Sequence, residues 1–146
     1  MAIIVRRTET LEDYAECVVI RYRVFVLSQN VPADVEIDGY EDTSVHYLAL
    51  DGTKPVGTAR YRLVGSDTGK IERMAVLSEH QGTGAGTALV EHVVNDLKAL
   101  GNIGTIKASG QTHALAFYER LGFQAVGPEY LDAGILHRDI VMTVGG

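Results

Sequence analysis

A chain of 146 residues is long enough for one domain to bury most of the surface that its unfolded form exposes. Its 46% hydrophobic and 22% charged residues exclude fibrous and disordered classes. The formal net charge of -6, with no Lys/Arg run against it, argues against nucleic acid as a partner, although oriented backbone N–H groups can still hold a compact anion locally. No stretch reaches membrane-spanning length, and the segment from Met1 to Arg7 lacks the basic and apolar halves of a signal peptide. Cys17 is the sole cysteine, so one chain can form neither an internal disulfide nor a cysteine metal cluster. A cytoplasmic protein without membrane association is expected.

In chain order, Ile3 to Val5 predicts a short strand, and Thr10 with Asp13 resembles a capping box ahead of a helix. Leu11, Tyr14, Ala15, Val18, Tyr22 and Phe25 recur at helical intervals until Val31-Pro32, which predicts one helix with that face against a sheet. An acidic, turn-rich segment follows from Asp34 to Asp42. Val45 to Leu50 and Val56 to Val64 read as a hairpin joined at Asp51-Gly52. After the turn Gly65 to Gly69, the residues Ile71, Met74, Ala75, Val76 and Leu77 mark an interior fourth strand.

Gly82 to Gly86 opens a helix whose apolar positions Leu89, Val90, Val93, Val94, Leu97 and Leu100 fit the helical period, with Gly101 as its stop. A strand near Thr105 to Ala108 comes next, then a helical stripe of Ala114, Phe117, Tyr118 and Leu121 ended by Gly122. Ile135 to Val144 is a last strand, and an extra short one fits at Phe123 to Val126. The order β-α-β-β-β-α-β-α-β predicts a single domain over 1–146 of the α/β (α+β) class, a mixed sheet with helices on both faces.

The segment with the most chemical content runs from Lys70 through Leu77, by Ser78-Glu79-His80, to Gln81-Gly82-Thr83-Gly84-Ala85-Gly86 and Thr87. Glycines let the backbone approach a ligand closely, and the first N–H groups of a helix have no internal partners, so they can receive a pyrophosphate. The GxxxxGK[ST] loop is absent, and GxGxxG fails because its third glycine position is Thr87. A bare structural connection is the competing reading.

Gln81-Gly82-Thr83-Gly84-Ala85-Gly86 resembles the Q/R-x-x-G-x-G/A motif of the GNAT superfamily of N-acetyltransferases, and Tyr118-Glu119-Arg120-Leu121-Gly122-Phe123 resembles that family's late Tyr-x-x-x-Gly-Phe pattern. The resemblance covers about half the chain closely, and it implies a GNAT-like, mostly antiparallel sheet. It also implies acetyl-CoA as acyl donor. Main-chain groups of Met74, Ala75 and Val76 would hold the pantetheine arm like an added strand, Gln81 through Thr87 would cradle the pyrophosphate, and Phe117 would flank the cofactor. A splay between strands four and five would admit the thioester to a small-molecule amine, with no metal required.

Acyl transfer needs a neutral amine, stabilisation of an oxyanion and protonation of a departing thiolate. By the resemblance, Tyr118 is the general acid. Reference pKa values of about 10 and about 8.5 make its proton transfer to a thiolate uphill by roughly 2 kcal/mol. The alternative is that Tyr118 only completes its apolar stripe. Ala133 to Met142 resembles the histidine-bearing strand of the glyphosate N-acetyltransferase type, which makes His137 a candidate base. Glu72, on the fourth strand, is the rival base. Arg73 matches an arginine that binds an acidic substrate group in that type, and Gln111 stands where the type carries another arginine. Val31-Pro32 with Glu36 and His46 resembles uncharacterised bacterial members of the superfamily.

Arg60 and Arg62 share one side of a strand, either facing an acceptor pocket or as an exposed polar face. The acidic segment, with Asp34, Glu36, Asp38, Glu41 and Asp42, reads as a solvated loop that could attract a cationic amine. His46, His80, His92 and His113 have no metal-site spacing, and Cys17 reads as a packed thiol. A non-catalytic acyl-CoA-binding or sensing module is the alternative function, and a glycine-rich domain without cofactor a third. The sequence sets neither the acceptor nor the oligomeric state, a homodimer included.

Overall fold

The computed structural model describes residues 3–144 and, within them, every side chain except those of Asp34 and Val35, so Asp34 of the acidic segment lies outside the described side chains. Seven strands, β1 (Ile3–Arg7), β2 (Val45–Asp51), β3 (Lys54–Val64), β4 (Thr68–Val76), β5 (Thr105–Gln111), β6 (Gln124–Asp132) and β7 (Ile135–Thr143), form one sheet in the order β1-β2-β3-β4-β5-β7-β6. All neighbours are antiparallel except β4 and β5. Helix α3 (Ala85–Ala99) makes the crossover that this parallel pair requires. The class, the mixed and mostly antiparallel sheet and the helices on both faces are as the sequence predicts.

One face carries α3 and α4 (Leu115–Arg120). There Leu89, Val90, Val93 and Leu97 of α3, all almost fully buried, pack with Tyr47, Tyr61, Ile71, Ile106 and Ile140 from the strands. Gly69 lets α3 approach, because a Cβ on it would fall 2.7 Å from Leu97 Cδ2. Leu100, counted in the α3 stripe, lies past the helix and is exposed.

The other face carries α1 (Leu11–Arg21). Thr10 Oγ1 caps it, accepting from the Asp13 amide at 3.1 Å. The chain then continues as a wider π-helical segment, Tyr22–Ser28, instead of one regular helix. Already within regular α1 the buried face is not the predicted stripe: Cys17, Ile20 and Arg21 are buried, whereas Leu11, and Tyr22 just after the helix, are exposed. Short α2 (Ala33–Glu36) follows. The extra strand is longer than its apolar residues suggest. It is the nine-residue edge strand β6, irregular between Val126 and Tyr130, where Pro128 costs no ladder bond.

The sheet forks. β4 and β5 pair only from Thr68↔Thr105 to Ile71↔Ala108, although both strands continue. At the same level the β3/β4 register slips: Arg60 faces Glu72 but Thr58 faces Ala75, so β4 carries one more residue than β3. Arg73, inside that bulge, has φ 54. A bulge bends the strand that carries it, and here it lies just past the last β4/β5 pair.

Candidate active site

At the fork lies a cavity of about 660 Å³, bounded by β4, the loop into α3, α4, the ends of β5 and β7, and the π-helical segment. Met74, Ala75 and Val76 line it along β4. The Leu77 amide donates to the Val56 carbonyl at 2.9 Å, so strand alternation turns the main-chain groups of Val76 and Met74 away from β3, toward the edge that β5 has left. An extended ligand can pair there as a strand would.

Beyond β4, Gln81, Gly82, Gly84, Gly86 and Thr87 continue the wall. Gly84, the N-cap of α3, has φ 89 and no side-chain cap, so the first amides of the helix remain open to an anion. Nothing lies within 4 Å of a Cβ built on Gly82 or Gly84. Phe117 closes the wall: a Cβ on Gly86 would lie 3.3 Å from its ring. The open strand edge, the uncapped helix and the side-chain-free loop together fit an extended arm ending in a diphosphate. Two of the residues predicted for this cradle stand apart from the cavity wall. The hydroxyl of Thr83 donates to the His80 carbonyl at 2.6 Å, tying the loop to itself, and Ala85 packs its methyl into the core.

Tyr118 and His137 both line this cavity. Burial pushes the Tyr118 pKa up to about 12, so its hydroxyl keeps its proton at neutral pH. No described residue hydrogen-bonds that hydroxyl, while its ring packs edge-on to Phe117 and Phe123. His137 is buried, and its Nδ1 lies 2.7 Å from the Ile135 carbonyl, which can only accept. A proton on Nδ1 satisfies that contact, and Nε2 is then the ring atom able to accept.

Glu72 also reaches the cavity, but cations occupy it: Arg60 and Arg62 donate to Oε1 at 3.0 and 2.9 Å, and Lys70 lies 3.1 Å from Oε2. Burial alone would raise this carboxyl. The Arg62 hydrogen bond and the Lys70 and Arg60 charges outweigh it and hold the pKa below its ordinary value.

The acceptor end differs most from the sequence reading. Arg60 is fully buried, neither an exposed polar face nor a pocket wall, and reaches Asp38 at 2.7 Å, Glu41 at 2.9 Å and Glu72. The described part of the acidic segment is a structural wedge as well as a charged loop: Glu36 is 3% exposed and pairs with buried Arg21 at 2.6 Å, and Glu41 accepts from Arg21 and Tyr14. For Glu41 too burial works upward. Hydrogen bonds from Arg21 and Tyr14, with the Arg21 and Arg60 charges, bring it down to about 2. Arg73 lines the cavity while pairing with Glu36 and Asp38. Gln111 donates to the Gln29 carbonyl oxygen at 2.9 Å, tying β5 to the end of the π-helical segment. Sequence reasoning missed Gln29, Val24 and Phe25 of the cavity wall. Val24 and Phe25 lie in the widened turns, which no residue pattern announces.

A forked mixed sheet with an open strand edge leading to an uncapped, glycine-opened helix suits an acyltransferase that uses a long thioester donor, and the family match agrees. The chain belongs to the GNAT acetyltransferases: the family model described as "Acetyltransferase (GNAT) domain" matches residues 10–144. It is 38% identical over 137 residues to the uncharacterised N-acetyltransferase YjcF of Bacillus subtilis (strain 168), covering 93% of this chain and 94% of that one. Its fold superposes on Escherichia coli ElaA with a TM-score of 0.86 at 21% identity, over 97% of this chain and 99% of the other. An aminoglycoside 6′-N-acetyltransferase complexed with coenzyme A gives a TM-score of 0.76 at 15% identity, over 96% of each chain. Among the described residues no helix is long and apolar enough to cross a membrane, and no group of three His, Cys, Asp or Glu side chains could hold a metal.

Proposed function

We propose that this acetyltransferase moves an acetyl group from acetyl-CoA to the amine of a small molecule by direct attack, without a covalent enzyme intermediate. One observation carries the reading: Tyr118 and His137 line the same cavity as the open edge of β4 and the uncapped start of α3. The donor supplies an activated thioester. Met74 and Val76 would hold its pantetheine arm through main-chain groups, and the α3 amides from Ala85 onward its diphosphate. A cavity of this size suits a small acceptor beside that arm.

His137 Nε2 takes the amine proton and Tyr118 donates to the sulfur that leaves. With Tyr118 near 12, complete transfer to a thiolate at its reference value near 8.5 is uphill by about 5 kcal/mol. That exceeds the cost expected from reference values, yet the same burial also disfavours a thiolate. The hydroxyl thus acts first as a hydrogen-bond donor and gives up its proton late. His137 is preferred to Glu72 because cations lower the Glu72 carboxyl, and a weaker base collects a proton poorly. The resemblance to the glyphosate N-acetyltransferase type supports the same base. Its acidic substrate is less well matched, because Gln111 replaces an arginine and Arg73 is engaged by Glu36 and Asp38.

Calorimetry with acetyl-CoA, and NAD as control, tests the donor site. Tyr118→Phe should retain acetyl-CoA binding and lose about 100-fold in kcat with an amine acceptor. Unchanged turnover would remove Tyr118 from the acid role. Selective acetyl-CoA binding without transfer to any amine would favour a sensing module.

A further inference from the structure

A chain of hydroxyls runs from the cavity to the surface on the acceptor side. Ser109 is the first β5 residue beyond the last β4/β5 pair, Ile71↔Ala108, so it stands at the fork itself, and it lines the cavity. It shares a hydrogen bond with the Tyr130 hydroxyl of β6, and Tyr130 in turn donates to Asp139 Oδ1 of β7 at 2.7 Å. The register holds the three together, since Ser109 faces Asp139 and Tyr130 faces His137 across neighbouring ladders.

Proton counting gives this chain a direction. The single Tyr130 proton is donated to Asp139, so the Tyr130 oxygen must accept from Ser109. With its one proton spent, Ser109 Oγ can only accept from whatever enters the cavity. The Tyr130 ring lies nearly parallel to the His137 ring, at 21° and 6.1 Å between centroids, so the same tyrosine stands beside the proposed base.

We propose that Ser109 Oγ receives an N–H of the attacking amine, and that Tyr130 and Asp139 are positioning residues that keep this oxygen an acceptor. This rests on the proposed N-acetyltransferase activity and adds to it a specificity-determining contact. A nucleophile with an N–H to spare beyond the one that His137 takes, a primary amine, is oriented with its lone pair free for the acyl carbon.

The test is steady-state kinetics of the whole protein with acetyl-CoA and glycine, spermidine, phenethylamine and kanamycin as probe amines, continued with the best of these. Ser109→Ala should raise KM for the amine about ten-fold, one lost hydrogen bond, and leave KM for acetyl-CoA unchanged. Ser109→Thr, which keeps the hydroxyl, should restore it. Tyr130→Phe keeps the ring beside His137 but releases the Ser109 proton, and should raise the amine KM by a smaller factor, about three-fold. An unchanged amine KM in Ser109→Ala, or a parallel rise in both KM values as a general structural defect would give, overturns the inference alone. Failure of the native protein to acetylate any of the four probes counts against the proposed activity, and this contact falls with it.

Discussion

Along β4, Met74 and Val76 offer main-chain groups to the cavity, whereas Glu72 and Arg73, just before them, are held by charged side chains from β3 and the acidic segment. The proposed donor side is built from backbone: an open strand edge, an uncapped helix and glycines. The acceptor side is built from side chains whose charges satisfy one another out of water. A backbone cradle tolerates many side chains and suits a cofactor of constant shape. A buried ionic cluster is sensitive to each member, because removing one leaves buried charges with fewer partners and no water to replace the lost one.

That contrast can be broken most severely at Arg60. Arg60→Ala removes the cation that Asp38, Glu41 and Glu72 share, leaving them to Arg73, Arg21 and Arg62, and should cost about 3 kcal/mol in denaturant unfolding, while calorimetry on the folded protein should still find acetyl-CoA binding. Equal loss on both sides would show that the halves are not separable. Acid should act on the same cluster. The folded pKa values of Asp38, Glu41 and Glu72 lie below their ordinary ones, so their stabilisation is complete above those ordinary values, near 4, and is lost as pH falls toward about 2, the value of Glu41. Urea midpoints measured through that window should fall continuously, and a flat profile would count against the cluster.

A smaller effect is expected on the donor side. Gly84→Val puts a β-branched residue at φ 89, and the strain, of order 1–3 kcal/mol, should appear mainly as acetyl-CoA affinity weakened by about ten-fold, with the amine KM little changed. Smallest of all is a control outside both halves: Thr10→Ala removes the α1 cap, should cost about 1 kcal/mol by thermal unfolding, and should leave binding and kinetics as they were.

Much of the donor side was legible because its signals are local. Gly82 to Gly86 and the apolar period from Leu89 to Leu97 lie within one turn and one helix, and the structure realises them in place. Tyr118 and His137, distant in sequence and named from a family pattern, fall in one cavity with that loop, although their chemical roles await the kinetics proposed above. The acceptor side was illegible for the opposite reason. Arg60 and the acidic run are separated by a strand and a turn, and nothing in either stretch says that the two are buried together.

By itself, then, the sequence determined the class of fold, the order of most of its elements and the glycine-bearing segment proposed to face the cofactor, since periodicity, turn residues and helix starts depend on neighbours a few positions away. The tertiary structure decided the fork after Ile71, the bulge at Arg73, the widened turns after Arg21 and the pairing of Arg21 and Arg60 with Glu36, Asp38 and Glu41. These depend on which strands stop pairing and on which charges meet out of water, and both are set by contacts between residues far apart in the chain.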